Sequence, residues 1–159
     1  MRKVISNTTP LIALADIGCF DILQKIYEEI MIPAAVLEEV KSEPAKTLVT
    51  NNDFIRVFPV ADSQVKKMFS SRLHAGEIEV MLLAEEKQAD LLIIDDNSAK
   101  KMAKFLGFNV TGTLGVLLKA KNKGYINEIQ PFVDKLQDNG FYVSFQVKQY
   151  VLEEAKELI

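Results

Sequence analysis

Histidine and cysteine are nearly missing from this sequence, which has one of each, His74 and Cys19, and no tryptophan. A lone cysteine excludes an intramolecular disulfide and agrees with a reducing, cytoplasmic setting. It reads as a small buried apolar residue. One histidine and one cysteine also exclude the usual structural zinc sites. Any metal here must be held mainly by oxygen, which points to Mg²⁺ or Mn²⁺. No apolar run approaches the roughly 20 residues that span a bilayer, and none follows Arg2 and Lys3 as it would in a signal peptide. The expectation is a soluble protein of the cytoplasm with no membrane partner. A marked excess of one charge is lacking too: 19 Lys and Arg stand against 22 Asp and Glu, for a formal net charge of −3. Bulk attraction to nucleic acid is therefore absent, and only a local basic patch remains available for it.

What is present is an ordinary globular composition, 48% hydrophobic and 26% charged over 159 residues. That length is enough for one domain with a substantial core. A single domain over residues 1–159 is expected, with a core over 1–124 and a C-terminal helical extension over 125–159. The chain is organised around Leu91-Leu92-Ile93-Ile94, a continuous aliphatic run ending in Asp95-Asp96. Such a run reads as a strand buried on both faces that turns into a helix. Val4-Ile5, Ile30 to Ile32, Phe54 to Phe58 and Phe108 to Val110 are the other strand candidates. Between them lie helical stripes: Leu11 to Ala15 after a Thr9 cap and Pro10, Phe20 to Ile26, Val36 to Val40 after Pro33, Ile78 to Leu83, and Ala99 to Leu106. A further helix is expected from Asp62-Ser63 through Phe69, followed by a loop over residues 70–75, while Lys46 to Asp53 carries no clear pattern. Leu114 to Leu118, a helix capped by Asn127, and a last one capped by Ser144 complete the chain. Alternating strand and helix predicts a three-layer α/β/α sandwich with a mainly parallel sheet.

Ligands of open parallel sheets gather outside the carboxyl ends of the strands. The polar residues at strand ends and adjacent helix starts recur in type, Asn7, Glu39, Glu77, Asp95 and Asp96, with Glu39 the exception in lying on the helix after its strand. Carboxylates crowded together repel one another unless a divalent cation compensates. A cluster of that kind suits in-line attack on phosphodiesters. Each residue also has a plainer reading. Asp95 or Asp96 can cap the next helix, Glu77 can answer a helix dipole, and Glu39 can be a solvated helix residue, with Glu38 the competing choice. Glu79, Glu85 and Glu86 read as solvent-facing charges, and His74 as a loop residue outside the chemistry. Thr111 and Thr113 read as turn and cap residues, or as contacts to a phosphate ligand. Lys100, Lys101 and Lys104, then Lys119, Lys121 and Lys123, are solvated faces, or guides for an RNA backbone if they border the acidic cleft.

Taken together, these stretches resemble the PIN-domain superfamily, most closely its PIN-like branch of nucleic-acid-binding proteins of unknown function. The similarity rests on Ser6 to Leu14, Ile32 to Val40, Gly76 to Glu79, Ile94 through Ala99, and Thr111 to Lys119, in order, over about four fifths of the chain. By that resemblance the family's acidic positions fall on Asn7, Glu39, Glu77 and Asp96, with Asp95 beside them. Thr9 matches the small hydroxyl residue two places after the first acid. The resemblance implies Mg²⁺ or Mn²⁺ binding, cleavage of single-stranded RNA, kinship with toxins of toxin–antitoxin pairs, and therefore an antitoxin-type protein partner or a homodimer through the helix from Phe145 to Ile159. Its main departure is Asn7, where the family has aspartate. An amide oxygen still coordinates a cation, but it brings no charge and cannot act as a base. At an effective dielectric constant near 20, one missing charge about 4 Å from a divalent ion forfeits several kcal/mol of attraction before screening. The sequence therefore predicts a metal-dependent ribonuclease weakened at its site, with catalysis from Glu39, Glu77 and Asp96 and substrate contacts from Thr9, Thr111, Thr113, Lys100 and Lys101. The alternatives are a non-catalytic RNA- or protein-binding module on the same fold and a phospho-acceptor signalling domain. The last is disfavoured because the paired acids come late and the first strand ends in Asn7.

Overall fold

A computed structural model describes residues 2–61 and 74–158. Five short strands, β1 (Val4–Ser6), β2 (Ile30–Pro33), β3 (Ile55–Phe58), β4 (Leu91–Ile93) and β5 (Val110–Thr111), form one sheet in the order β3-β2-β1-β4-β5. Every pairing is parallel, so the mainly parallel sheet expected from the sequence is wholly so. All residues of β1, β2 and β4 are buried. Central strands sealed on both faces require a layer of helices on each side, which gives the α/β sandwich. Ile5, Ile32, Leu92 and Ile93 have no exposed surface, and each contributes about 1.5–3 kcal/mol of burial.

The described helices are α1 (Thr8–Asp16), α2 (Asp21–Tyr27), α3 (Ala34–Glu39), α4 (Ala45–Asn51), α5 (Ala75–Lys87), α6 (Asn97–Phe105), α7 (Thr113–Asn122), α8 (Gln130–Asp138) and α9 (Phe145–Glu154). None is long and apolar enough to cross a membrane. From β1 the chain winds outward through β2 to β3, then returns to place β4 and β5 on the other side of β1. The winding direction thus reverses between β1 and β4, and the crevice beyond their carboxyl ends is where such sheets take ligands. Register fixes what borders it: Ser6 pairs with Ile93, and the Asn7 N–H continues the ladder to the Ile93 carbonyl at 2.9 Å.

Four local departures from the sequence reading have identifiable causes. Helix α4 forms in the unpatterned stretch because Ala45 and Val49 are buried and Leu48 packs against the core. Helix α1 begins two residues early, so Asn7 rather than Thr9 is its cap and Pro10 is its third residue rather than its first. Helix α8 starts at Gln130 rather than after Asn127, because the Glu157 carboxylate accepts the N–H groups of Ile129 at 2.7 Å and Gln130 at 3.0 Å. The last strand begins at Val110, two residues later than expected, and includes Thr111. Ser144 caps α9 as expected, accepting the Val147 N–H at 3.1 Å. The helix expected from Asp62 through Phe69, and residues 70–73 of the loop after it, lie outside the described residues.

A second, smaller apolar cluster of Ile129, Val133, Val151, Leu152 and Ala155 joins α8 to α9. Leu136, also on α8, belongs to the main core. Phe145 and Tyr150 of α9 stay 75% and 60% exposed.

Candidate functional site

Asn7 closes β1 and opens α1, and it is buried. A capping asparagine ordinarily accepts an N–H from the second or third helical residue. The third residue here is Pro10, which has no N–H to give. Among the described residues, no hydrogen-bond donor meets the buried Asn7 Oδ1. An acceptor left so costs about 1–3 kcal/mol, and a cation or a water would relieve it.

Glu39 ends α3, next to the exposed Glu38, and turns inward. Its Oε2 accepts the Thr8 hydroxyl at 2.9 Å and its Oε1 accepts the Gly76 N–H at 2.7 Å. A Cβ at position 76 would collide with that carboxylate, so the glycine is what lets α5 start against Glu39. The next residue, Glu77, is 7% exposed, and its Oε1 accepts the His74 N–H at 2.9 Å. Burial pushes the Glu77 carboxyl above its usual pKa, and the neighbouring Asp96 adds to the rise, against the lowering effect of the His74 N–H. Glu77 and Asp96, which come from different elements, therefore share one corner. A run of contacts from Thr8 through Glu39, Gly76 and Glu77 to Asp96 ties the carboxyl ends of β1 and β4 to the starts of α1 and α5.

Asp96 fulfils its plain reading as well: its Oδ2 accepts the Ala99 N–H at 2.9 Å and caps α6. Asp95 turns away to α7, where its carboxylate accepts the Thr113 N–H at 2.8 Å and the Thr113 hydroxyl at 2.7 Å. Burial raises the Asp95 pKa, while Thr113 and the charge of Lys100 draw it back. Thr113 is fully buried, so the substrate contact expected of it gives way to a structural one. Thr9 is exposed on α1, Thr111 is half-buried at the end of β5, and Lys101 is exposed on α6. Lys119 and Lys123 do not border the acidic corner. They sit at the far end of α7, where the charges of Arg2 and Lys123 reach Lys119, and Lys121 is paired with Glu157 at 2.8 Å.

Two residues of this corner escaped the sequence reading. Thr8, not Thr9, holds Glu39. Glu79, read as solvent-facing, is 6% exposed and accepts the Ala35 N–H at 3.0 Å, so it anchors the start of the helix that carries Glu39. The available signal was spacing: Glu79 lies two residues after Glu77 within a run of otherwise apolar positions.

Tested against a divalent cation, the residues fit in part. Among the described residues, no three histidine, cysteine or carboxylate side chains gather closely enough to hold a metal, and both Glu39 oxygens are engaged. The favourable features are the Glu77–Asp96 pair, whose like charges a cation would offset, and the undonated Asn7 Oδ1. Such a set suits a weakly held ion.

No curated protein matches the chain at a significant level. Residues 3–157 match the DUF3368 family model, a PIN domain. With a parallel sheet whose switch point is rimmed by Asn7, Glu77 and Asp96, and a family match spanning almost its whole length, the chain belongs to the PIN-domain family.

Proposed function

We propose that this protein binds single-stranded RNA at the acidic corner and is a metal-dependent endonuclease weakened by Asn7. The observation that carries this reading is the buried, undonated Asn7 Oδ1 at the switch point, in the same corner as the Glu77–Asp96 pair. Asn7, Glu77 and Asp96 would hold Mg²⁺ or Mn²⁺. When bound, such an ion lowers the pKa of water and balances charge on a phosphodiester. Asn7 provides an acceptor without charge, which lowers affinity and removes one base. Glu39 is a positioning residue, since it fixes the first turn of α5 on which Glu77 rides. Asp95 positions α7 through Thr113. Asp96 keeps one oxygen on the Ala99 N–H and has the other for the ion. Thr9, Thr111, Lys100 and Lys101 are the proposed contacts to the RNA backbone.

The alternative, a non-catalytic RNA- or protein-binding module, draws support from the engagement of both Glu39 oxygens and the lack of a third converging carboxylate among the described residues. Calorimetry with Mn²⁺ separates the two. Weak binding that Asp96→Ala abolishes supports the first, and no heat at millimolar metal supports the second. A cytoplasmic location, an antitoxin-type partner and a homodimer belong to the same proposal. Phe145, Val147 and Tyr150 are the exposed apolar side chains of α9 available to a second copy, and equilibrium sedimentation measures that association.

A further inference from the structure

Along β3 and at the edge of the sheet where β1 and β2 begin, the surface is opposite in character to the acidic corner. Arg2, Lys3, Arg56 and Lys87 line a groove of about 360 Å³ whose walls include one carboxylate, Glu29. Glu29 answers Arg56 at 3.3 Å. The side chains of Arg2, Lys3 and Lys87 form no ion pair among the described residues, although the Asp90 carboxylate accepts the Lys3 backbone N–H at 2.7 Å and lies near Arg2. Phe58 allows two of these cations to crowd together, with Lys87 Nζ 4.3 Å and Arg56 Cζ 5.3 Å from its ring centre, because an aromatic face attracts each of them. Arg2 extends the patch around the sheet edge. There Lys119 lies 5.3 Å from the Tyr27 ring centre, and burial, then the charges of Arg2 and Lys123, hold its ammonium below the usual lysine range. A chain of net charge −3 thus gathers cations at one end and the acids of its candidate site at the other.

We propose that this basic groove, running from Arg56 and Lys87 through Arg2 toward Lys119, is a binding track for the phosphodiester backbone of single-stranded RNA, separate from the acidic corner. The occupant follows from charge complementarity: cations spread along an edge match a chain with one charge per nucleotide better than one isolated phosphate. The inference rests on the reading of the protein as RNA-directed, and it extends that reading. At the acidic corner Lys100 and Lys101 are the proposed cations set against several carboxylates, so an RNA that reaches beyond that corner gains further electrostatic anchorage from the groove.

The test is fluorescence anisotropy of a labelled oligouridylate of about 12 nucleotides, long enough to follow such a track, in EDTA so that neither cation nor cleavage contributes. Arg2→Glu with Lys87→Glu is compared with wild type and with Lys46→Glu plus Lys135→Glu, an equal change of charge away from the groove. Circular dichroism verifies that each variant is folded. The expected result is at least a tenfold loss of affinity for the groove variant alone. Its salt dependence should also be shallower, by about 0.7 in log–log slope for each phosphate no longer neutralised. Equal affinity in the groove variant and wild type overturns the inference, as does an absence of RNA binding by wild type. So does a uridine mononucleotide binding as tightly as the oligomer. Polyglutamate displacing RNA at equal charge concentration overturns it in favour of an acidic protein segment. Calorimetry with Mn²⁺ on the groove variant reads the acidic corner independently, so either proposal can fail while the other stands.

Discussion

Glu39 and Gly76, 37 positions apart in the chain, meet with the carboxylate 2.7 Å from the backbone nitrogen and no room for a side chain on the glycine. Gly→Ala in the body of a helix ordinarily stabilises by up to about 1 kcal/mol. Here the sign should reverse. Gly76→Ala forces Glu39 aside and costs the bonds to Gly76 and Thr8, for a loss of about 1–3 kcal/mol. Urea denaturation measures it, and a neutral or stabilising result would show that Glu39 is not held as described.

Glu79 tests whether the site is built from behind. Its carboxylate is buried and accepts the Ala35 N–H. Glu79→Ala should destabilise by about 1–3 kcal/mol, because a buried donor loses its partner. Glu85→Ala, at an exposed position of the same helix, should change stability by no more than about 0.5 kcal/mol. Equal midpoints for the two variants in thermal unfolding would count against the anchoring role.

Glu157 gives a pH signature far from the candidate site. Burial alone would raise its pKa, but Lys121 and the N–H groups of Ile129 and Gln130 outweigh it and hold the carboxyl below its usual 4.5. An acid with a depressed folded pKa stabilises the fold fully above the unfolded value, and that contribution is lost as pH falls through the folded one. The stability gap between wild type and Glu157→Gln should therefore be widest near neutrality and close progressively below about pH 4.5. Denaturation across that range reads it, and a gap that widens on acidification would refute the assignment.

The sheet was legible because its strands are sealed. Runs such as Leu91 to Ile94 must be aliphatic when helices cover both faces, and the polar residues that end them stand out. Asn7 and Asp96 could be placed just past strand ends for that reason, and Glu77 in the first turn of a helix by its position after Gly76. What escaped was set by partners distant in the chain. Nothing near Glu79 announces that the Ala35 N–H will meet it, and the start of α8 depends on Glu157, 28 positions beyond Ile129. Helix α4 was hidden because only Ala45 and Val49 of its residues are buried, too few to make a stripe. Asn7 itself could be located from sequence, but its undonated oxygen could not. That depends on α1 beginning at Thr8, which puts proline where the capping donor would stand.

The most direct test replaces that amide with the missing carboxylate. Asn7→Asp adds one negative charge beside Glu77 and Asp96, and it should tighten Mn²⁺ binding at least tenfold, about 1.4 kcal/mol. Cleavage of a labelled single-stranded RNA in Mn²⁺ should then rise well above wild type and vanish again in Asn7→Asp with Asp96→Asn. A folded Asn7→Asp protein that binds Mn²⁺ no better than wild type and leaves the RNA intact would contradict a nuclease weakened at this position.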